Sequence, residues 1–90
     1  MAVERFENRE REYLAWVARH PSGFVLNSVR SLKPESFILH HASCWSISTD
    51  KHTNYTTNEY IKVCADIRSE IDSWARANGG LPSPCGLCKP

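Results

Sequence analysis

The chemistry in this sequence is concentrated in two short pairs of residues. The chain closes on PSPCGLCKP, where Cys85 and Cys88 flank a two-residue turn between prolines. Far upstream, LHHASCWSI carries His40 and Cys44 with three residues between them. Thiolate sulfur and neutral imidazole nitrogen are the donors that zinc selects. Ligand pairs two to four residues apart let one turn aim both donor atoms at a single point. Together the pairs supply three thiolates and one imidazole. That is a complete tetrahedral set, with no position left for water or substrate.

His20, His41, His52 and Cys64 are the other nitrogen or sulfur donors. His41 follows His40 directly on a predicted strand and so points to the opposite face. Cys64 lies within the apolar run YIKVCA, where a lone cysteine commonly acts as a small buried hydrophobe. A set with Cys64 in place of His40 would still be sound zinc chemistry. The expected ligands are therefore His40, Cys44, Cys85 and Cys88, with Cys64 and His41 competing for the imidazole's place. A redox CxxC of the thioredoxin kind should open a helix after a strand, which this proline-bounded pair does not do. MAVERFENRERE is too charged to read as a secretory signal, and no apolar run approaches the roughly 18 residues that span a bilayer. The expectation is a cytoplasmic location with reduced thiols.

The elements that must position these residues are legible from periodicity. ERFENREREYLAWVARH reads as one amphipathic helix, with Phe6, Tyr13, Trp16 and Val17 on its apolar stripe, stopped by Pro21 and Gly23. FVLNSV and SFILHHA read as an antiparallel hairpin. STDKHTNYTTNEY is polar and aperiodic, a long loop. YIKVCA reads as a strand with Ile61, Val63 and Ala65 on one face. Asp66 then caps a helix, IRSEIDSWARAN, whose stripe is Ile67, Ile71, Trp74 and Ala75 and which ends at Gly79-Gly80. A single longer helix from Thr57 onward is the rival reading. The expected fold is α+β over residues 1–90 as one domain. Two helices pack on a small antiparallel sheet, and zinc ties a strand end to the C-terminal turn. A domain of 90 residues has a modest core, so such a metal cross-link should matter to folding.

From residue 39 onward, LHHASCWSI, Tyr55, a helix, GG and PCGLCKP together resemble the zinc-binding module of the Ada-type DNA repair proteins. Those proteins show a ligand-x3-Cys pair, an aromatic strand, a helix, a glycine and a closing Pro-Cys-x-x-Cys-x-Pro. Pro84, Cys85, Cys88 and Pro90 match that ending in register. The resemblance covers residues 39–90. It implies a mixed α/β module that holds zinc through His40, Cys44, Cys85 and Cys88 and contacts DNA. In methyl-accepting members the first ligand is a cysteine, which takes the methyl group. Here it is His40, and a zinc-bound imidazole is a far poorer nucleophile than a metal thiolate. The expected function is therefore a non-enzymatic zinc module that binds nucleic acid, with Arg30, Lys51, His52, Tyr55 and Lys62 as the contact surface. Trp45, beside a ligand, is expected to shield the site or to stack on a base. The alternative is a protein-interaction or structural adaptor. A net charge of +1, with both signs interspersed along the chain, favours that alternative over a phosphate-binding face.

Overall fold

Two strands that are apolar on both sides organise the chain. In the computed structural model, which describes residues 3–48, 55–57 and 59–90, β2 (Phe24–Val29) and β4 (Tyr60–Ala65) pair antiparallel along their whole length. Around them stand β1 (Glu4–Phe6), β3 (Ile38–His41) and β5 (Ser83–Pro84), in the sheet order β1-β4-β2-β3-β5. Every neighbouring pair is antiparallel except β3 and β5. The helices are α1 (Glu10–Arg19), the single turn α2 (Trp45–Ser48) and α3 (Arg68–Ala77). The α+β expectation holds, with one long helix on each face of the sheet.

Strand alternation decides which residues face which helix. On the α1 face, Val25 and Cys64 lie opposite each other and pack with Phe6, Tyr13, Val17, Ala42, Cys44, Ile47 and Cys85. On the α3 face, Leu26, Leu39, Ile61, Val63 and Ala65 pack with Ile71 and Ala75. The strand YIKVCA is thus confirmed, and the rival long helix from Thr57 is excluded.

Three local expectations are corrected. The first helix does not begin at Glu4. Residues 4–6 form β1, in register Glu4↔Cys64, Arg5↔Val63 and Phe6↔Lys62. Asn8 then takes a left-handed φ of 58°, which breaks the chain direction before α1. Phe6 and Tyr13 are seven residues apart and would share a helical stripe. In the strand they still meet, ring edge to ring face with centroids 5.8 Å apart, so the periodic signal was satisfied by a different geometry. Asp66 does not cap α3, since its carboxylate bonds His20 Nδ1 at 2.8 Å and the N-terminal position falls to Ile67. Ile67 in turn leaves the expected apolar stripe and is exposed.

The glycine stop signals were read correctly. Gly23 admits Trp16, and a Cβ there would lie 2.8 Å from the indole and 3.1 Å from the Ala65 carbonyl. Gly79 has φ 107° and ends α3, with its N–H bonded to the Arg76 carbonyl at 3.2 Å.

The departure of Ile67 from the apolar stripe gives a test, with buried Phe6 as the reference. Phe6→Ala should cost about 3–5 kcal/mol in urea unfolding, whereas Ile67→Ala should stay within about 0.5 kcal/mol. Equal costs at both positions would restore the helical stripes expected from periodicity.

Candidate metal centre

Two segments converge at the end of β3. His40 pairs with Val25 across the sheet, which turns its ring toward the α1 face. The chain then reverses through Ala42 and Ser43. Ala42 N–H bonds the Gly23 carbonyl at 2.9 Å, and Cys44 N–H bonds the His41 carbonyl at 2.9 Å. That turn brings Cys44 back beside His40.

The second pair arrives along the free edge of β3. Ser83 N–H donates to the Phe37 carbonyl at 3.0 Å, and Cys85 N–H donates to the Leu39 carbonyl at 2.8 Å. Pro82 and Pro84 alternate with these donors, so the residues without an N–H fall where none is needed. The turn then closes with Lys89 N–H on the Cys85 carbonyl at 2.9 Å, Lys89 adopting φ 47°. Backbone donors aim at sulfur, among them Leu87 N–H at Cys85 Sγ and His41 N–H at Cys88 Sγ, each 3.3 Å.

The donor atoms of His40, Cys44, Cys85 and Cys88 all lie within 4.8 Å of one another. A tetrahedral zinc with Zn–S bonds near 2.3 Å needs donor–donor edges of about 3.8 Å, so the preformed cluster is within about 1 Å of that requirement. His40, Cys44 and Cys85 are buried, and Cys88 is half-buried. His40 Nδ1 is buried without a hydrogen-bond partner. Buried polar atoms are almost always satisfied, and a buried imidazole with an unpartnered ring nitrogen, on a residue that joins three cysteines in one cluster, is compatible with a metal ligand. The residues present fit a metal ion of zinc type.

The electrostatics agree. Burial first, and the nearby Lys62 ammonium second, lower the His40 pKa to about 4, which keeps the ring neutral with a lone pair to give. Burial pushes the Cys85 thiol up. The N–H groups of Cys88 and Leu87, with help from the Cys88 and Cys44 side chains, outweigh it and bring the group below the usual thiol range. Cys88 is raised to about 11, mainly by burial, with the His41 N–H acting in the opposite direction. Cys44 Sγ contacts Ser46 Oγ at 3.0 Å, a partner that the sequence reading did not single out.

The rival ligands stand elsewhere. Cys64 is fully buried in the middle of β4, where desolvation drives its thiol strongly upward, and it is outside the cluster. His41 turns its ring to the other face, against Phe24 at 5.5 Å, and serves the site only through its backbone. His20 stacks on Trp16 with centroids 4.3 Å apart.

The expected nucleic-acid surface is not assembled as the sequence suggested. Lys51 and His52 lie outside the described residues. Tyr55 is buried against Tyr13, with ring centroids 5.6 Å apart. Lys62 is 2% exposed, and its Nζ donates to the Tyr55 carbonyl at 2.7 Å. Arg30 is spent on Glu7 at 2.7 Å, Asn8 Oδ1 at 2.7 Å and the Thr56 carbonyl at 2.9 Å. At residues 55–56 the cause is Glu10, in the first turn of α1. Its carboxylate accepts Tyr55 N–H and Thr56 N–H, each at 2.8 Å, and clamps residues 55–56 onto α1. Trp45 does not shield the metal site, being 65% exposed.

Comparison with protein-family models, curated proteins and solved structures found no match. The likeness of residues 39–90 to the Ada-type module therefore rests on motif spacing alone.

Two outcomes check the ligand assignment. Cys64→Ala should leave zinc stoichiometry unchanged at a packing cost of about 1 kcal/mol, while Cys85→Ala should abolish tight binding. Equal loss in both would mean an all-cysteine site. In the metal-free protein, unfolded chains protonate His40 near pH 6.5 and folded chains only near 4. The His40 contribution to its stability should be level above pH 6.5 and fall as pH drops from 6.5 toward 4, because the unfolded state takes the proton first. This contribution should vanish in His40→Asn, as read by urea midpoints in chelator.

Proposed function

We propose that this domain is a zinc-stapled binding module in which the metal is structural and does no chemistry. The observation that carries this reading is the cluster of four neutral-imidazole and thiol donors within 4.8 Å, three of them buried. His40 and Cys44 would hold zinc from the strand side, and Cys85 and Cys88 from the terminal turn. Zinc would supply a cross-link there, and four protein donors leave it no open position for a water or a substrate. A groove of about 360 Å³ lies between β1 and α1, lined in part by Phe6, Ala15 and Trp16, and none of the four donors borders it.

For the partner, we infer a protein in preference to DNA. Arg30, Tyr55 and Lys62 are committed to internal contacts, which weakens the nucleic-acid reading and leaves it to Lys51 and His52. Trp45 and Leu87, each next to a ligand in sequence, are 65% and 61% exposed. Large apolar side chains held in water beside a rigid metal site are suited to the buried centre of a protein interface.

Metal analysis of the purified chain should give one zinc per molecule, and a chelator should remove it with loss of the ordered C-terminal turn. A fully folded protein that holds no metal would sink the reading. Anisotropy titrations with labelled single- and double-stranded oligonucleotides should show no binding that weakens steeply as salt rises; such binding would restore the DNA reading. Incubation with DNA bearing a methyl phosphotriester should leave the protein mass unchanged, and a gain of one methyl group would mark an acceptor enzyme.

A further inference from the structure

We propose that the donor cluster is also a redox latch, in which peroxide joins Cys88 to Cys85 and releases the chain terminus from the sheet. This regulation rests on the structural-zinc reading above. The four donors are not equally sheltered. His40, Cys44 and Cys85 are buried, whereas Cys88 is half-buried. Its neighbour Leu87 stands in solvent, and a Cβ at Gly86 would meet no atom within 4 Å. The turn therefore has an open side, and Cys88 is the sulfur that a small oxidant reaches.

A second sulfur waits beside it. The donor atoms of the cluster lie within 4.8 Å of one another, and none of the cysteines is in a disulfide. Cys85 and Cys88 belong to one turn, closed by Lys89 N–H on the Cys85 carbonyl. They can pair without drawing two separate segments together. Cys44 stands on the strand side, its Sγ 3.0 Å from Ser46 Oγ. Cys64 is fully buried and outside the cluster, so it takes no part.

The oxidant is a hydroperoxide, in the simplest case hydrogen peroxide. The Cys88 sulfur attacks one peroxide oxygen and the O–O bond breaks, giving a sulfenic acid and hydroxide. The Cys85 sulfur then attacks the Cys88 sulfur, forming the S–S bond and displacing a second hydroxide. Solvent protons convert both hydroxides to water, and two electrons have passed from the sulfurs to the peroxide. His40 and Cys44 remain as donors, too few for a closed tetrahedral site. In turning toward Cys85, the Cys88 sulfur also gives up the His41 N–H that ties the turn to the end of β3. Trp45, on the strand side, and Leu87, on the turn, then part. The exposed apolar pair assigned above to a protein partner exists only in the reduced, metal-loaded chain.

The test uses the full chain loaded with zinc and treated with hydrogen peroxide in the presence of a chromophoric chelator. Zinc should be released as the protein loses the mass of two hydrogens. Peptide mapping should place the new link between Cys85 and Cys88, and hydrogen exchange should rise over residues 81–90. Dithiothreitol followed by zinc should restore the starting state. Limited alkylation of the untreated, loaded protein should label Cys88 first. Cys88→His keeps a fourth donor without the exposed thiol, and should release zinc several-fold more slowly under the same peroxide. A link through Cys44 would overturn the proposal, because it would fasten the terminus to the strand side instead of freeing it. First labelling of Cys44 or Cys85 would overturn it as well, as would irreversible oxidation of Cys88 without a disulfide. If the wild type holds no zinc, the structural-zinc reading falls and the latch with it. If zinc is held and stays bound through peroxide treatment, only the latch falls.

Discussion

The end of this chain is attached to the β3 edge by backbone hydrogen bonds, among them Ser83 N–H to the Phe37 carbonyl and Cys85 N–H to the Leu39 carbonyl, and the donor cluster depends on that attachment. They set the register in which Cys85 arrives beside His40, and the turn behind it then presents Cys88 to the His41 amide. Two such bonds are worth only about 1 kcal/mol each in net stability. Ordering the backbone of a single residue costs a similar amount. The β5 attachment is thus too weak to hold the tail by itself, and the buried surface of Cys85 adds little. A metal bridging both ends of the contact is the physical solution that the residues permit. The alternation of prolines with donors is the means by which so short a strand finds one register.

The sheet's two faces divide the work. The α3 face is filled by Leu26, Leu39, Ile61, Val63, Ala65, Ile71 and Ala75 and supplies ordinary core stability. The α1 face mixes apolar packing with buried polar groups. Tyr13 donates its hydroxyl to the Ile47 carbonyl, and burial drives its phenol well above the usual range. Through that bond α1 is tied to α2, which follows Cys44 directly. Glu10, at the other end of the same helix surface, ties down residues 55–56. One helix therefore braces both flanks of the sheet region that carries His40, Cys64 and Lys62.

The donor cluster was legible because metal-binding chemistry is written in residue type and short spacing, both of which survive without coordinates. His40 could be separated from His41 by strand alternation, and Cys64 by its place in an apolar run. Those distinctions depend only on local geometry. What could not be read was anything decided by long-range competition. Phe6 fits a helical stripe and a strand equally well, and only pairing with β4 selects the strand. Tyr55 looks like an exposed loop residue, and Lys62 like a surface position of its strand, until the Glu10 carboxylate captures the Tyr55 and Thr56 amides from 45 and 46 positions away. β5 is two residues long and rich in proline, so it gives no propensity signal at all. Its presence follows from the β3 edge, not from its own composition.

The central claim is that one imidazole and three thiolates, drawn from a strand end and the chain terminus, enclose a single zinc. X-ray absorption at the zinc K-edge on the intact protein tests it most directly. The account predicts a first shell of three sulfurs at about 2.3 Å and one nitrogen at about 2.0 Å, with the outer-shell scattering of a single imidazole ring. Four sulfurs with no imidazole signature, or a shell containing a water oxygen, would contradict it.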